Sequence, residues 1–327
     1  MARNAKTFVQ MTKPAALLIG EMSERMLGQL GAHFELHRPE DVLRFLGENG
    51  AEVSYVLCNG HGGVSAEMIG LMPALKVISN YGVGYDAIAT PTAVERGIIV
   101  THTPNVLNEE VATTALMLMM ACYRNLLVDD AYVRAGRWPA EGNAPLSRTM
   151  DGRRVGILGM GRIGEAIARK LQAFTDDISY HTRSEKDLPY RYFADLTAMA
   201  REVEVLICIT PGGADTRHLV NAEVLKALGS EGMLINVARG SVVDETALVA
   251  ALQAGELGWA GLDVFEDEPN VPELLFAMKN VVLLPHVGSA TEETRIAMGD
   301  LACANLISFH TDGKSVAVVP ECAHLSA

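Results

Sequence analysis

Three ionisable residues in the second half of the chain, Arg239, Glu268 and His286, each follow an apolar run that predicts a strand. A guanidinium binds a carboxylate through a planar fork, and an imidazole is the side chain that most often moves a proton in catalysis. Because ligands of open α/β sheets bind outside the carboxyl ends of the strands, we expect the three groups to face one crevice. Taken alone, His286 is better explained as a strand-end histidine bonded within the fold, and Glu268 as a solvated acidic turn.

A glycine-rich turn precedes these residues. Gly159, Gly161 and Gly164 have the spacing Gly-x-Gly-x-x-Gly, between the apolar run Val155–Leu158 and a helix-like stretch, Glu165–Leu171. In that order the first glycine permits a tight turn, the second a close approach of a pyrophosphate, and the third close packing of helix on strand. The free N–H groups at the helix start would hold the phosphates. An ordinary loop is the alternative, but the flanking strand and helix favour dinucleotide binding.

The residues after the next predicted strand indicate which dinucleotide binds. An NAD-binding unit has an acidic residue about 20 positions beyond the glycines, on the adenosine ribose. Here that position falls near Thr182, which is not acidic, and Arg183, Ser184 and Lys186 follow it. A carboxylate would repel a 2′-phosphate whereas Arg183 can pair with one, so NADP is preferred and NAD remains possible. A solvated basic turn is the alternative, and Glu185 could instead serve the ribose.

Apolar runs alternate with helical patterns along two stretches of the chain, which predicts two parallel sheets covered by helices. The predicted strands of the first stretch are Ala15–Ile19, Val53–Leu57, Lys76–Ser79 and Ile98–Thr101. Those of the second are Val155–Leu158, Ile178–His181, Val205–Ile209, Met233–Asn236, Gly258–Leu262 and Val281–Leu284. Helices are predicted at Ser23–Leu30, Ala222–Leu228 and Glu245–Ala254.

Two longer helical patterns bear on the domain boundaries. Glu109–Ala135 lacks glycine and proline, which predicts one long helix or two in line. Glu292–Phe309 predicts a last helix that returns to the first stretch and makes that domain discontinuous. We therefore expect a substrate domain at 1–105 plus 292–327 and a dinucleotide-binding domain at 106–291.

The composition limits the partners and the compartment. The chain has 327 residues, of which 49% are hydrophobic and 20% charged, enough for two domains with large cores. A formal net charge of −13 disfavours nucleic acid and anionic membranes as partners. Five cysteines without a Cys-x-x-Cys pair predict a cytoplasmic protein with no disulfide framework and no metal site. The apolar run Ala15–Ile19 is too short for a secretion signal, and Leu116–Cys122 is too soon followed by charges to span a membrane.

Taken together, six segments resemble the D-isomer-specific 2-hydroxyacid dehydrogenases over essentially the whole chain. They are Gly82–Asp86, Thr103–Asn105, Gly159–Gly164, Asn236–Gly240, Asp263–Pro269 and Pro285–Gly288. Each is modest evidence, but their order and spacing are highly specific. Tyr180–Ser184 is most similar to the glyoxylate/hydroxypyruvate reductase branch, which favours NADPH. The resemblance implies an α/β fold of two doubly wound parallel-sheet domains, a Rossmann dinucleotide-binding domain and a flavodoxin-like substrate domain.

The resemblance also implies a role for each ionisable residue. Arg239 would bind the 2-oxo acid through its carboxylate and carbonyl oxygens. His286 would protonate the carbonyl oxygen as hydride arrives from the nicotinamide, and Glu268 would orient the imidazole and favour its charged form. The backbone N–H groups of Val83 and Gly84 would receive the substrate carboxylate, unless these residues only form a tight turn.

We call residues 182–186 the basic segment. The predicted contacts with the cofactor come from the glycine turn, the basic segment and the resemblance. They are Gly159, Gly161, Arg162, Ile163, Gly164, Thr182, Arg183, Ser184, Lys186, Thr210, Pro211, Thr216, Val237, Ala238, Asp263 and Gly288. Asp263 matches the residue that binds the nicotinamide carboxamide, and Val111 would line that ring or only pack in the core. The chain departs from the family at Gly212-Gly213, where bulkier residues are common. It also departs at Pro139–Glu141, where some relatives have an aromatic residue that contacts the partner subunit's substrate.

The leading hypothesis is NADPH-dependent reduction of small anionic 2-oxo acids, first glyoxylate and hydroxypyruvate, to D-2-hydroxy acids. The alternatives are a D-lactate or 2-ketogluconate reductase and a non-enzymatic, NAD(P)H-sensing corepressor-like protein. A formate dehydrogenase is disfavoured because its family has glutamine in place of Glu268, and a phosphoglycerate dehydrogenase because Thr182 is not acidic. The family analogy implies a homodimer with Glu109–Ala135 as the interface. Loops such as Asn59–Gly63 would shape the pocket for the substrate side chain.

Overall fold

The computed structural model describes residues 13–60 and 62–325, which form two compact units. The first unit comprises the described residues up to Pro104 and those from Arg295 onward, and the second is Asn105–Thr294. Each unit is described by itself below.

The first unit contains a five-stranded parallel sheet in the order β2-β1-β3-β4-β5. In chain order its first elements are β1 (Ala15–Ile19), α1 (Glu24–Gly31), β2 (Glu35–His37), α2 (Val42–Asn49), β3 (Val53–Asn59), α3 (Ala66–Leu71), β4 (Val77–Tyr81), α4 (Thr90–Glu95) and β5 (Ile99–Thr101). This strand order is that of the flavodoxin-like doubly wound fold. Side chains of Ser23, Asp41 and Ser65 accept a backbone N–H at the starts of α1, α2 and α3, which fixes where these helices begin.

The second unit contains a seven-stranded parallel sheet in the order β12-β11-β10-β9-β6-β7-β8. Its elements are α5 (Asn108–Tyr123), α6 (Leu126–Arg134), α7 (Arg137–Glu141), β6 (Val155–Leu158), α8 (Arg162–Leu171), β7 (Ile178–His181), β8 (Arg191–Tyr192), α9 (Leu196–Glu202), β9 (Val205–Cys208), α10 (Ala222–Leu228), β10 (Met233–Asn236), α11 (Glu245–Gln253), β11 (Trp259–Leu262) and β12 (Val281–Leu283). The strand order reverses between β6 and β9, as in a Rossmann fold, where a dinucleotide binds at the reversal.

A last helix, α12 (Glu292–Asp312), packs in the first unit. Alternate residues of β1 enter opposite cores because side chains alternate along a strand. Leu18 packs in a cluster with Leu306 of α12, and Leu17 lies in a cluster with Leu46 of α2. Both faces of the sheet are thus covered, and the two predicted doubly wound parallel-sheet domains are confirmed.

The prediction of one long helix, or two in line, over Glu109–Ala135 is wrong. Two helices, α5 and α6, meet at an angle of 60°. Asn125 between them has the left-handed backbone conformation, φ 49° and ψ 33°, which ends α5. Asparagine tolerates this conformation better than most residues, so the turn needs neither glycine nor proline.

Other features of the sequence have direct structural counterparts. All five cysteines are buried and free of disulfides, and burial raises the pKa of Cys58 and of Cys122 to about 12. Thiols in this state are poor nucleophiles. Among the described helices, no single one is long and apolar enough to cross a membrane, and α5 with α6 reaches that length and composition only as a bent pair.

Candidate functional site

The glycine turn lies where the strand order of the second unit reverses, between β6 and α8. Gly159 has φ +103°, and a Cβ there would lie 2.8 Å from the backbone nitrogen of Thr210. A Cβ on Gly164 would overlap the carbonyl oxygen of Gly159. These two positions therefore require glycine because the protein's own backbone occupies the space.

Gly161 is glycine for a different reason. It is exposed, its φ of −84° is available to any residue, and a Cβ would meet no other described atom within 4 Å. The space beside it is open at the N-terminus of α8, where the first backbone N–H groups of a helix have no partner within that helix. A side chain here would obstruct a ligand rather than the protein. The residues present thus fit the pyrophosphate of a dinucleotide.

The basic segment begins next to this turn. Leu158 of β6 pairs with His181 of β7, and the N–H of Gly159 donates to the carbonyl of His181 at 3.0 Å. The side chains of Arg183 and Lys186 are exposed, and the Lys186 ammonium donates to the carbonyl of Met160 at 2.5 Å. Lys186 therefore binds the glycine turn itself, which places positive charge beside the phosphate position.

The neighbouring residues of the basic segment are arranged as a tight turn. The Thr182 hydroxyl donates to the carbonyl of Ser184 at 2.7 Å, and the carbonyl of Thr182 accepts from the hydroxyl of Tyr192 at 3.2 Å. Ser184 and Glu185 are exposed. No carboxylate occupies the position of Thr182, so nothing at this position repels a 2′-phosphate.

We call residues 210–216 the cofactor loop, which follows β9. Ile209 donates its N–H to the carbonyl of Leu158 in β6 at 2.9 Å, so the loop starts beside the glycine turn. The hydroxyl of Thr216 donates to the carbonyl of Pro211 at 2.8 Å and closes the loop on itself. Thr216 thus has a structural role in addition to its predicted contact with the cofactor.

Asn236, at the end of β10, shapes the turn that carries Arg239. Its amide nitrogen donates to the carbonyl of Arg239 at 3.1 Å, and its oxygen accepts the N–H of Ala238 at 3.1 Å. Arg239 is half-buried, and its guanidinium donates to the carbonyl of Ala238 at 2.8 Å. Val237 and Ala238 are buried, and their contact with the cofactor stays a prediction.

The acidic loop, residues 263–269, follows β11 and lies against this turn. A Cβ on Gly240 would overlap the backbone of Phe265, so the two loops touch through their main chains. Glu268 accepts the N–H of Phe265 on Oε1 at 3.0 Å, which fixes its carboxylate. Its other oxygen, Oε2, lies 2.8 Å from Nδ1 of His286.

The geometry determines which ring nitrogen of His286 can exchange a proton with a substrate. An ionised carboxylate only accepts hydrogen bonds, so Nδ1 carries the proton shared with Glu268. Nε2, on the opposite side of the ring, is then the atom that can give a proton outward. The His286 side chain is 32% exposed, which leaves the ring within reach of a small molecule.

Asp263 holds the histidine turn, residues 285–288, in place. It is 2% exposed, and its two carboxylate oxygens accept the N–H groups of Val287 at 2.7 Å and Gly288 at 2.8 Å. The carbonyl of Asp263 accepts the N–H of His286 at 2.8 Å. Burial raises the pKa of Asp263, and the two backbone N–H bonds partly oppose that shift. This anchoring role was not predicted from the sequence, where Asp263 stood only as a nicotinamide contact.

Helix α5 supports the same turn. The hydroxyl of Thr114 donates to the carbonyl of Gly288 at 3.1 Å. A Cβ on Gly288 would lie 2.8 Å from the Asp263 carboxylate and 3.8 Å from the side chain of Val111. His286 itself has φ +53°, a strained value for histidine that these contacts sustain. Val111 is buried beside the turn, as either of its predicted roles requires.

The predicted substrate turn, Gly82–Gly84, lies in the first unit. The side-chain amide of Asn80, 1% exposed, donates to the carbonyls of Gly82 at 3.0 Å and Gly84 at 2.9 Å. Nδ1 of His102 lies 3.1 Å from the carbonyl of Val83. Three successive carbonyls are thus engaged, which orients the peptide N–H groups of the turn. Sequence reasoning missed Asn80 and His102, although an asparagine at a strand end before glycine is a signal for such a turn.

The sequence also singled out the segment Trp138–Glu141 and the loop Asn59–Gly63, and the structure gives each of them local contacts. Trp138 is 55% exposed, and its indole N–H donates to Asn143 at 3.3 Å. Pro139–Glu141 completes the short helix α7. In the loop Asn59–Gly63, His61 lies outside the described residues, while the side chain of Asn59 accepts the N–H of Gly62 at 2.8 Å.

All the predicted site residues of the second unit follow the carboxyl ends of its strands. Neighbouring strands of that parallel sheet bring together the glycine turn, the cofactor loop, the acidic loop and the histidine turn. The arrangement combines a dinucleotide-binding turn with a carboxylate–imidazole pair. Such a pair can deliver a proton to a substrate held near the cofactor.

Comparison with known proteins agrees with this chemistry. The family model of the NAD-binding domain of D-isomer specific 2-hydroxyacid dehydrogenases matches residues 116–288. A glyoxylate/hydroxypyruvate reductase A of Arabidopsis thaliana is 43% identical over 305 residues, 92% of this chain and 96% of that protein. A 2-ketogluconate reductase of Gluconobacter oxydans is 40% identical over 304 residues, 92% of this chain and 97% of that protein.

A similar solved structure is that of an NADPH-dependent glyoxylate/hydroxypyruvate reductase of Sinorhizobium meliloti in complex with NADP and malonate. It has a TM-score of 0.91 and 46% sequence identity, and the match covers 95% of this chain and 98% of that one. The sequence match, the fold and the site point to the same family. The chain belongs to the D-isomer specific 2-hydroxyacid dehydrogenases.

Proposed function

We propose that the protein reduces small 2-oxo acids, glyoxylate and hydroxypyruvate first, to D-2-hydroxy acids with NADPH. The observation that carries this proposal is the 2.8 Å contact between Glu268 and His286, at the same sheet edge as the glycine turn. The similar proteins of Arabidopsis and Sinorhizobium, both named glyoxylate/hydroxypyruvate reductases, support the choice of substrates.

The chain's own residues divide the work of the reaction. Arg239 binds the carboxylate of the 2-oxo acid. NADPH, when bound, supplies the hydride that reaches the carbonyl carbon. Nε2 of His286 gives its proton to the carbonyl oxygen, and Glu268 stabilises the charged imidazole beforehand and keeps it oriented. Solvent then returns a proton to the imidazole.

The preference for NADPH is proposed to rest on Arg183, with Lys186 beside the phosphates. Arg183→Ala should lower kcat/KM with NADPH by roughly 10- to 100-fold, since a charge-assisted hydrogen bond to the 2′-phosphate is lost. The value with NADH should change little. Steady-state kinetics with both cofactors measure this, and a wild-type preference for NADH would overturn it.

The substrate is tested by a panel of 2-oxo acids with both nicotinamide cofactors. We expect the highest kcat/KM with glyoxylate or hydroxypyruvate. The relative from Gluconobacter makes 2-ketogluconate the principal competing substrate. A higher kcat/KM with 2-ketogluconate would assign the protein as a 2-ketogluconate reductase, and a higher value with pyruvate would assign it as a D-lactate dehydrogenase. Absence of turnover with every acid would favour the non-enzymatic, NAD(P)H-sensing alternative.

The assembly is proposed to be a homodimer in the cytoplasm. Exposed apolar side chains concentrate on α5–α7 and the segment after them. They are Met117, Met120, Leu126, Leu127, Val133, Trp138 and Leu146. Such a concentration is typical of a surface that another protein covers, and the occupant proposed is a second copy of the chain. Five buried free thiols fit a reducing compartment.

A further inference from the structure

A second histidine–glutamate pair is formed by His218 and Glu266, and Glu266 lies two residues before Glu268 in the acidic loop. Nε2 of His218 is 2.7 Å from Oε1 of Glu266, and the guanidinium of Arg217 donates to the same oxygen at 2.6 Å. Arg217 and His218 directly follow the cofactor loop, whereas Glu266 belongs to the acidic loop that carries Glu268. The acidic loop thus holds the histidine turn with one carboxylate and the base of the cofactor loop with another.

The acidic loop is firmly anchored at Glu266. The N–H of Glu266 donates to the carboxylate of Glu245 in α11 at 3.2 Å. Gly240 lies directly against the peptide that joins Phe265 to Glu266. The Glu266 side chain is 24% exposed, so its hydrogen bonds to Arg217 and His218 are partly shielded from water.

The cofactor loop is held mainly at its base. Its residues Pro211 and Gly213–Asp215 are exposed. His218 has φ +52°, and its N–H donates to the carbonyl of Ser241 at 2.8 Å. A left-handed conformation at histidine costs free energy, so surrounding contacts must sustain it. The bonds to Ser241 and Glu266 are the contacts that do so.

We propose that Glu266 is a positioning residue for NADPH, acting through Arg217 and His218 to fix the cofactor loop beside the glycine turn. The proposal rests on the proposed function in naming NADPH. It locates the effect in cofactor binding rather than in proton transfer, because Glu268 holds His286 through contacts of its own, with the N–H of Phe265 and with Nδ1 of His286. Loss of Glu266 should therefore weaken NADPH binding more than it lowers kcat.

The test compares Glu266→Ala, Glu266→Gln and His218→Asn with wild type. Glutamine keeps an oxygen that accepts both hydrogen bonds, and asparagine tolerates the left-handed backbone of residue 218 while removing the imidazole. Glu202→Gln is the matched control, since Glu202 pairs with Arg191 at the β8 edge of the same sheet. Fluorescence titration gives the Kd for NADPH, and steady-state kinetics give kcat at saturating NADPH.

We expect Glu266→Ala and His218→Asn each to raise the Kd for NADPH about tenfold, with kcat within about threefold of wild type. Glu266→Gln should recover most of the affinity. The double variant Glu266→Ala with His218→Asn should bind little worse than either single one, because both remove the same link. The control should match wild type.

Hydrogen exchange in the cofactor-free protein separates this proposal from the proposed function. Glu266→Ala should speed exchange of the amides of residues 212–219, whichever substrate the enzyme uses. If the variants leave both the Kd and this exchange within twofold of wild type, the positioning role is wrong. If the exchange and the Kd respond but wild type reduces no 2-oxo acid, only the proposed function fails.

Discussion

At the scale of single residues, the site depends on side chains that hold loops as much as on those that face a ligand. Asp263 places His286 by accepting two N–H groups of the histidine turn. Asn236 and Asn80 hold the turns of Arg239 and Val83 by donating from their side-chain amides to backbone carbonyls. Each of these amides or carboxylates replaces the hydrogen bonds that an irregular backbone would otherwise lack.

Asp263→Asn tests this anchoring directly. The amide nitrogen that replaces one carboxylate oxygen would face a backbone N–H, so one hydrogen bond is lost and two donors meet. We expect the free energy of unfolding to fall by about 1–3 kcal/mol and kcat to fall because His286 is displaced. Urea unfolding and steady-state kinetics measure the two effects. Asp267→Asn, in the same loop but exposed, is the control, and equal behaviour of the two variants would contradict the anchoring role.

How far the sequence predicts the site depends on how local each contact is. Gly-x-Gly-x-x-Gly between a strand and a helix is a local pattern, and the structure places it between β6 and α8 as predicted. Glu268 and His286 were paired by resemblance, and the structure brings them to 2.8 Å. The anchoring by Asp263 was not predicted, because it joins residues 24 and 25 positions apart and depends on two strands being neighbours.

At the scale of elements, the apolar runs predict most strands, including the three-residue edge strands β5 and β12. The edge strands β2 (Glu35–His37) and β8 (Arg191–Tyr192) were not predicted, because neither is an apolar run. The bend between α5 and α6 was missed because Asn125 supplies a left-handed turn without glycine or proline.

The amino end of the large sheet has its own clamp, in which Glu204 joins the starts of β6 and β9. The Glu204 carboxylate accepts a hydrogen bond from the guanidinium of Arg153 at 2.8 Å and one from the backbone N–H of Arg154 at 3.1 Å. Burial alone would raise the pKa of Glu204, but the Arg154 N–H and the two guanidinium groups lower it overall. Because the pKa of Glu204 is lower in the folded state than in the unfolded state, its carboxylate stabilises the fold at pH values above the pKa of the unfolded state. This stabilisation is lost as the pH falls through the pKa of the folded state.

Glu204→Gln should therefore lower the free energy of unfolding by about 1 kcal/mol at pH 7, and the difference should vanish in acid. Urea unfolding of wild type and Glu204→Gln, from pH 7 down to the lowest pH at which both still fold, measures this difference in the free energy of unfolding. Glu223→Gln, which removes an exposed carboxylate 3.8 Å from Arg201, is the control. A difference that stays constant or grows as the pH falls would show that the carboxylate charge is not responsible.

At the scale of the whole molecule, predicted site residues occur in both units. The glycine turn, Arg239, Glu268 and His286 lie in the second unit, and the turn Gly82–Gly84 lies in the first. Both sheets are doubly wound, yet only the larger one carries the dinucleotide glycines. Fold class alone therefore does not assign function, which resides in the turns at the strand ends.

The proposed homodimer is tested by placing charge on the exposed apolar surface of α6. The side chain of Leu127 is 53% exposed. If a second copy of the chain covers this side chain, the substitution Leu127→Glu would bury an unpaired carboxylate in the interface. We expect wild type to elute at twice the 35.1 kDa chain mass and the variant to be monomeric at micromolar concentration, as measured by light scattering. Leu274→Glu, at a site 56% exposed elsewhere in the second unit, should remain dimeric. A monomeric wild type would disprove the dimer.

The most direct test of the proposed reaction is the turnover of His286→Gln with glyoxylate and NADPH, measured beside its Kd for NADPH. His310→Gln, at the end of α12, is the control. Loss of the proton donor predicts a kcat about 10²- to 10⁴-fold lower than wild type, with the Kd within about threefold. A kcat within tenfold of wild type would contradict the assignment of His286 as the group that protonates the substrate.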